Sequence, residues 1–190
     1  MPRKVAVLVG SLRVGSFTRA IAEAVAEAAA PRLNCQFVSI GDLPLYNPDL
    51  DTETPPAAWS RLRGEIAASE AVLFATPEYN RSLPGVLKNA LDVGSRPYGK
   101  SVWNRKPAAI VSVAPGMLGA FGANHHLRQP LVFLNMPVMQ QPEAYISKVS
   151  DLLDSDGRLT RSDTREFLGD FANSFADWID QNLHSAIESS

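Results

Sequence analysis

The sequence predicts a single α/β domain in which helices cover both faces of a doubly wound, five-stranded parallel sheet, giving three layers. Short apolar runs rich in β-branched residues recur along the chain, which is typical of strands buried on both faces. Stretches with helical spacing lie between these runs, and this alternation favours parallel strands connected by helices. The length of 190 residues, 45% of them hydrophobic, suits one domain over residues 1–190 and is too short to argue for two.

The strands are predicted from apolar runs that are bounded by Gly, Pro, Ser or Asp. The first four cover residues 5–9, 36–40, 71–76 and 108–113. A fifth is predicted at residues 136–139, where Pro137 favours an edge position because proline cannot donate a ladder hydrogen bond.

The segments that follow these strands have apolar residues at helical spacing. The residues that mark the first four helices are Ile21, Val25 and Ala28; Trp59, Leu62 and Ile66; Leu87 and Leu91; and Leu127, Leu131 and Leu134. The closing helix is marked by Phe167, Phe171, Phe175, Trp178, Ile179 and Leu183. We expect a frayed tail over residues 183–190 and an ordered surface loop, not a linker, over residues 43–56.

Composition argues against several classes of function. The formal net charge is −2 and no run of Lys or Arg occurs, so nucleic-acid binding is not expected. The apolar run at residues 5–9 is far shorter than the roughly 20 residues of a membrane span, so we expect no membrane association and a cytoplasmic protein. Cys35 is a lone cysteine for which we expect a buried, non-catalytic role. His125 and His126 are adjacent and lack further ligands, so no metal site is predicted.

The loop after the first strand has the composition of a phosphate site. Ser11, Ser16 and Thr18 supply hydroxyls and Arg13 a guanidinium, at the start of a helix with free amide groups. The glycines lack the G-x-G-x-x-G spacing, no acidic residue ends the second strand, and no Gly-Lys-Ser/Thr follows, so neither a dinucleotide fingerprint nor a Walker A loop is present. A terminal monophosphate, as in FMN, fits better. The alternative is that Ser and Thr only cap the helix while Arg13 is solvated.

Two further loops at the carboxyl ends of strands could border a flavin ring, since ligands of open α/β sheets bind there. The loop after the third strand contains Tyr79 and Asn80 and offers backbone amides, followed by a helix predicted to begin at Pro84. The loop after the fourth strand is rich in glycine around Gly116, which allows a planar ligand to approach the backbone. An ordinary hydrophilic turn and simple flexibility are the alternatives for these two loops.

Three motifs together resemble the NADPH-dependent FMN reductase family. They are Gly10-Ser11-Leu12-Arg13 with Gly15-Ser16; Thr76-Pro77-Glu78-Tyr79-Asn80; and Pro84-Gly85 with Leu87-Lys88-Asn89-Ala90-Leu91-Asp92. Within that family the chain is most similar to the chromate and quinone reductase branch, which also has a stretch like His126-Leu127-Arg128-Gln129. The resemblance implies a flavodoxin-like fold with strand order 2-1-3-4-5 and a homodimer or homotetramer, in which Arg128 and Glu143 could pair at a subunit contact.

The resemblance also implies the residues of the FMN site. Those that would hold the phosphate are Ser11, Arg13, Ser16, Thr18 and the main chain around Phe17. Those that would border the ring are Pro77, Glu78, Tyr79, Asn80 and Arg81, with Ala114 and Gly116 at its other side or edge. The chain departs from the family pattern at Thr18, Ala114, Val93 and Ala120, which affects flavin-edge contacts and acceptor preference.

The predicted activity is oxidation of NADPH or NADH through bound FMN, with small molecules as the final acceptors and ping-pong kinetics. Because the flavin carries the redox chemistry, no catalytic side chain is predicted. The acceptor stays open among quinones, chromate, azo compounds and free flavin. One alternative is a flavodoxin-like electron carrier without NAD(P)H oxidation activity, although the strongly acidic surface usual for such carriers is absent. Another is a flavin-free module that binds a different phosphate ester.

Overall fold

A computed structural model describes residues 1–188, and side chains through residue 183. Five strands alternate with five α-helices along the chain. The strands are β1 (Arg3–Val9), β2 (Leu33–Val38), β3 (Ala71–Thr76), β4 (Ala108–Val113) and β5 (Ala144–Ile146). The helices are α1 (Phe17–Ala29), α2 (Ala57–Ala67), α3 (Gly85–Gly94), α4 (Phe121–Phe133) and α5 (Ser162–Glu188). Every pair of neighbouring strands is parallel and the order is β2-β1-β3-β4-β5, as predicted.

The centre of the sheet is apolar on both faces because helices cover both. All six residues of β3 and all six of β4 are buried. Side chains that alternate along each strand therefore enter two separate cores. Val7 faces the core formed with α1 and α5, whereas Leu8 faces the core formed with α2, α3 and α4. The predicted three-layer sandwich is confirmed.

The fifth strand was predicted in the wrong place. Residues 136–139 make only a bridge beside the start of β4, in which Ala108 N donates to Pro137 O at 3.0 Å and Met139 N donates to Ala108 O at 2.8 Å. Pro137 has no N–H with which to continue a ladder. The strand that pairs with β4 on the side away from β3 is β5, whose three residues lie opposite residues 111–113.

Other boundaries differ by a few residues from those predicted. β2 begins at Leu33 and ends at Val38 instead of covering residues 36–40. Its Asn34 is exposed, as expected on an edge strand, and the polar side chain hides the start of the strand in the sequence. Pro84 is the N-cap residue of α3, which begins at Gly85.

The C-terminal helix α5 continues to Glu188. The frayed tail predicted for residues 183–190 falls on a segment whose last two residues, and all side chains after 183, lie outside the described residues. Within the described part of the chain, no helix has the length and hydrophobicity needed to cross a bilayer. Burial raises the pKa of Cys35 to about 11, so its thiol stays protonated at neutral pH and is a poor nucleophile.

Candidate functional site

A cleft of about 500 Å³ lies at the carboxyl ends of β1, β2 and β3. Its lining residues come from the loops after these strands and from α3: Gly10, Leu12, Arg13, Ile40, Gly41, Leu43, Leu45, Tyr79, Pro84, Gly85, Val86 and Asn89. Two larger hollows, of about 620 and 750 Å³, lie between α1 and α5 and beside the N-terminal residues. We take the cleft as the functional site because the carboxyl ends of parallel strands are where this sheet architecture binds ligands.

The loop after β1 (residues 10–18) ends at the N-terminus of α1. Ser16 is the N-cap residue, and its Oγ accepts a hydrogen bond from Arg19 N at 3.1 Å. Gly15 has a φ of +67° and makes the turn into the helix. The helix-capping alternative is therefore correct for Ser16. It does not remove the phosphate role, because a hydroxyl that accepts through its oxygen can still donate its proton.

The same loop retains unused donors for an anion. The N–H groups of Phe17 and Thr18, in the first turn of α1, have no intrahelical partner. The exposed guanidinium of Arg13 lies 5.9 Å from the Phe17 ring centroid, and no carboxylate in the described part of the chain pairs with it. Thr18 is almost fully buried, so a phosphate would reach its hydroxyl only from within the loop. These donors, with the positive end of the helix dipole, fit a terminal phosphate.

The loop after β3 (residues 77–84) contains a tight hairpin. Tyr79 N donates to Ser82 O at 3.1 Å and Ser82 N donates to Tyr79 O at 3.0 Å. Asn80 and Arg81, the two central residues, have φ values of 51° and 65°, as a type I′ turn requires. The hairpin presents Tyr79, which is 49% exposed, at the cleft. An exposed aromatic ring beside the phosphate loop is a suitable wall for a flavin.

Glu78 is predicted to border the ring, as part of a loop whose contacts would be mostly main-chain, and its side chain is directed at α4 instead. Its Oε2 accepts from Ala123 N at 3.0 Å, at the N-terminus of α4, and its side chain is only 16% exposed. Gly122 makes this contact possible, because a Cβ there would lie 2.9 Å from the same carboxylate oxygen. The carboxylate thus accepts a hydrogen bond from a backbone N–H that has no partner within α4. Its negative charge also lies at the positive end of the α4 dipole. We therefore expect any contact between Glu78 and a flavin to involve the backbone of Glu78.

The hairpin is attached to α4 a second time through Ser82, whose Oγ lies 2.7 Å from His126 Nδ1. The neighbouring His125 points elsewhere, with Nε2 2.9 Å from the Tyr145 hydroxyl. Burial raises the pKa of Tyr145 to about 12, assisted by a hydrogen bond to Glu143. The two histidines are thus engaged separately, and no cluster of three metal-ligating side chains occurs among the described residues.

The loop after β4 lies away from the cleft lining. Ala114 N donates to Ile146 O at 2.9 Å, and Ala114 O accepts from Val149 N at 3.3 Å. Gly116 O accepts from Lys148 N at 3.2 Å. These bonds join the loop to β5 and the turn after it and use the N–H of Ala114, whereas the N–H of Gly116 has no partner among the described residues.

Of the predicted site residues, Arg13 and Tyr79 line the cleft together, Ala114 and Gly116 lie in the loop after β4 away from the lining, and the others lie in the loops after β1 and β3. The loop after β2 (residues 39–56) was not predicted as part of the site, and it contributes Gly41, Leu43 and Leu45 to the cleft lining. The available signal was a pair of leucines in a loop that directly follows a predicted strand. In a loop that only faces solvent, polar residues are the more usual choice.

The family model for NADPH-dependent FMN reductase matches residues 3–151, which include β1 to β5 and all three loops. The chain belongs to this family. A quinone reductase of Pseudomonas putida is 58% identical over 178 residues, covering 94% of this chain and 95% of the relative. A 2-hydroxy-1,4-benzoquinone reductase of a Burkholderia species is 44% identical over 179 residues, covering 94% and 97%.

A solved structure with a similar fold is that of FerB from Paracoccus denitrificans, described as a flavoenzyme NAD(P)H:(acceptor) oxidoreductase. It matches with a TM-score of 0.89 and 42% identity, covering 95% of this chain and 98% of that one. Membership of the FMN reductase family confirms the predicted oxidoreductase class, the flavodoxin-like fold and the pair of cofactors, FMN and NAD(P)H.

Proposed function

We propose that this chain is an NAD(P)H-dependent quinone reductase that binds FMN at the cleft between the loops after β1 and β3. The observation that carries the proposal is the placement of Arg13 and Tyr79 in one cleft, beside the unused amides of α1. Relatives named for quinone reduction, at 58% and 44% identity, support quinones as the acceptor class. The phosphate is assigned to Ser11, Arg13, Ser16, Thr18 and the Phe17 amide, and the ring to the loop of residues 77–81.

When bound, FMN would supply the hydride-transfer chemistry between a nicotinamide and an acceptor. The chain's own residues would bind and orient the reactants. Arg13 and the N-terminus of α1 would hold the phosphate, and the Tyr79 hairpin would border the ring. The nicotinamide and the acceptor would use the same open cleft in turn, so the kinetics should be ping-pong. No side chain is given a catalytic role.

The decisive experiment mixes the FMN-loaded protein with NADPH, and separately with NADH, under anaerobic conditions. We expect the visible absorbance of the flavin to bleach rapidly and to recover when a quinone is added. Retention of the yellow colour with both nicotinamides would instead indicate an electron carrier. A colourless protein that does not bind added FMN would indicate a flavin-free module.

The order of preference among acceptors is tested by a panel under the same conditions. We expect quinones to reoxidise the reduced protein faster than chromate, azo dyes or free FMN do. A faster reaction with chromate or free flavin would reassign the acceptor class while leaving the nicotinamide half-reaction intact.

We also propose a cytoplasmic homodimer or homotetramer. Val132 and Phe133 are exposed at the end of α4 and favour a contact between copies. Arg128 already donates within the chain, to Asn124 Oδ1 and to Met139 O, each at 3.2 Å. A subunit contact between Arg128 and Glu143 would therefore have to share or replace these bonds. Light scattering after gel filtration tests the oligomeric state.

A further inference from the structure

The segment of residues 43–51, here called the cleft wall, is fixed from the side of α3 by Asn89. The side chain of Asn89 is only 8% exposed. Its Oδ1 accepts from Tyr46 N at 2.8 Å, and its Nδ2 donates to Leu43 O at 3.2 Å and to Pro44 O at 3.0 Å. One buried side-chain amide thus holds three backbone groups of residues 43–46 that would otherwise depend on water.

Helix α2 fixes the same wall independently. Trp59 is fully buried and its Nε1 donates to Pro44 O at 3.0 Å. The Tyr46 ring packs on the Trp59 ring with centroids 5.2 Å apart. At the far end, Asp51 forms a bidentate pair with Arg63, with both N···O distances 2.9 Å. A loop held this way keeps one shape before any ligand arrives.

The wall presents leucine to the cleft. Leu45 is 79% exposed although it lines the cleft, and Leu12, also in the lining, is 57% exposed. Leu12 packs directly on Gly41, where a Cβ would lie 2.9 Å from Leu12 Cδ2. Arg13 is the only charged residue among those lining the cleft. Beyond the phosphate-binding end, the cleft is therefore apolar and offers no counter-charge.

We propose that Leu45, held by the Asn89-fixed wall, determines acceptor specificity by favouring planar, uncharged ring systems that extend beyond a single ring. This inference rests on the proposed function and adds the residue that selects among acceptors. A second fused ring covers the leucine side chains and removes their surface from water, which a one-ring acceptor does not do. A charged acceptor would lose hydration against the same surface without gaining a partner.

The test compares Leu45→Ala with Leu50→Ala in the FMN-loaded enzyme. Leu50 is a matched control, because it belongs to the same loop, is 46% exposed and does not line the cleft. With 2-methyl-1,4-naphthoquinone, we expect Leu45→Ala to lower kcat/KM by roughly threefold to tenfold, chiefly through KM, since most of one leucine contact is lost. The kcat/KM values for 1,4-benzoquinone and ferricyanide should change by less than about twofold, because these acceptors cover only a small part of the Leu45 side chain. Leu50→Ala should leave all three unchanged.

An equilibrium measurement separates binding from turnover. The naphthoquinone is titrated into the oxidised, FMN-loaded protein without nicotinamide, and tryptophan fluorescence is followed. The Kd should rise in Leu45→Ala by the same factor as KM and stay constant in Leu50→Ala. Equal Kd values in the two variants, or an equal loss for benzoquinone and naphthoquinone, would overturn the assignment of Leu45.

The positioning role of Asn89 has its own readout. Asn89→Ala should weaken naphthoquinone binding and also make residues 43–51 a site of limited proteolysis, whereas Leu45→Ala should leave the cleavage pattern unchanged. Resistance of Asn89→Ala to cleavage would contradict this role.

If NADPH fails to bleach the wild-type flavin, the proposed function fails. If bleaching is normal and Leu45→Ala behaves like Leu50→Ala, only the present inference fails.

Discussion

Arg13 is the residue on which the proposed FMN binding depends most directly, because among the described residues that line the cleft it is the only one with a charged side chain. Arg13→Ala removes a charge-assisted contact worth about 1.5–3 kcal/mol, so the Kd for FMN should rise roughly 10- to 100-fold. Flavin fluorescence titration measures this. Arg19→Ala is the control, since Arg19 pairs with Glu23 on the exposed side of α1. An unchanged Kd in Arg13→Ala would count against the phosphate assignment.

Glu70 gives the stability a dependence on pH in the acid range. Burial opposes its ionisation, but hydrogen bonds from Lys4 N and the Arg3 guanidinium outweigh burial and lower the pKa of Glu70 below its ordinary 4.5. A carboxyl whose pKa falls on folding stabilises the protein above its unfolded-state pKa, and this contribution is lost as the pH falls through the folded-state pKa. Glu70→Gln should therefore have a lower Tm than wild type at pH 7, and the difference in Tm between the two proteins should disappear at acid pH.

The difference in Tm between wild type and Glu70→Gln is measured by thermal unfolding of the two proteins between pH 7 and pH 3. Glu65→Gln is a suitable control, because Glu65 pairs only with Arg61 on the exposed side of α2. A difference between wild type and Glu70→Gln that persists at the lowest pH would show that the substitution acts through packing and not through charge.

The chemistry of individual site residues is only partly visible in the sequence. Arg13 and Tyr79 were found because their types suit phosphate and ring, and they do line the cleft. The contact of the Glu78 side chain with α4 could not be predicted, since it depends on Ala123, 45 positions away. Asn89 lies in a motif that the sequence analysis quoted, but its bonds to Leu43, Pro44 and Tyr46 are tertiary contacts that no local pattern encodes.

At the scale of elements, the contact between the β3 hairpin and α4 depends on Gly122. A methyl group there would lie 2.9 Å from Glu78 Oε2 and 3.2 Å from Arg81 O. Gly122→Ala should push the hairpin away at a cost of about 1–3 kcal/mol and weaken FMN binding, although the residue does not line the cleft.

The matched control for this prediction is Gly64→Ala. Gly64 lies inside α2, and a Cβ there meets nothing within 4 Å. Alanine should stabilise that helix by about 0.5–1 kcal/mol and leave the Kd for FMN unchanged. Both variants are compared by thermal unfolding and by FMN titration. The prediction is wrong if Gly122→Ala binds FMN as tightly as Gly64→Ala does.

β1, β3 and β4 could be placed from the sequence because buried parallel strands are continuous apolar runs, whereas β2, with the exposed Asn34, was placed only in part. β5 could not be placed, since it has three residues and a half-buried tyrosine at its centre. The nearby residues 136–139 are more apolar than β5, so the fifth strand was predicted there. Their apolar side chains are explained by packing, as Met136 and Met139 are both buried. Apolar composition alone does not distinguish a strand from a packed connection.

At the scale of the whole molecule, bound FMN should stabilise the fold through mass action. A ligand present at 100 times its Kd adds about 2.7 kcal/mol. For a domain of this length, each kcal/mol corresponds to about 2–4 °C, so Tm should rise by about 5–10 °C. Differential scanning fluorimetry over a range of FMN concentrations measures the shift. Riboflavin, which lacks the phosphate, should give a much smaller one, and an equal shift would contradict the phosphate loop.

The layer arrangement and the strand order were predictable for a reason that also operates at this scale. Alternating strands and helices of similar length have few ways to bury both faces of a sheet with right-handed connections. The surface of the molecule is not constrained in this way. Which loops meet over the carboxyl edge, and how closely, follows from side chains of distant segments that the alternation does not determine.

The rigidity of the cleft wall has a thermodynamic and a kinetic consequence. Ordering a flexible residue costs about 1–2 kcal/mol in conformational entropy, and Asn89, Trp59 and the Asp51–Arg63 pair have already immobilised this stretch in the unliganded chain. An incoming reactant therefore meets a preformed surface instead of closing a lid. Loop motion should then not make turnover sensitive to solvent viscosity, and the entropy of association should carry no contribution from ordering this loop.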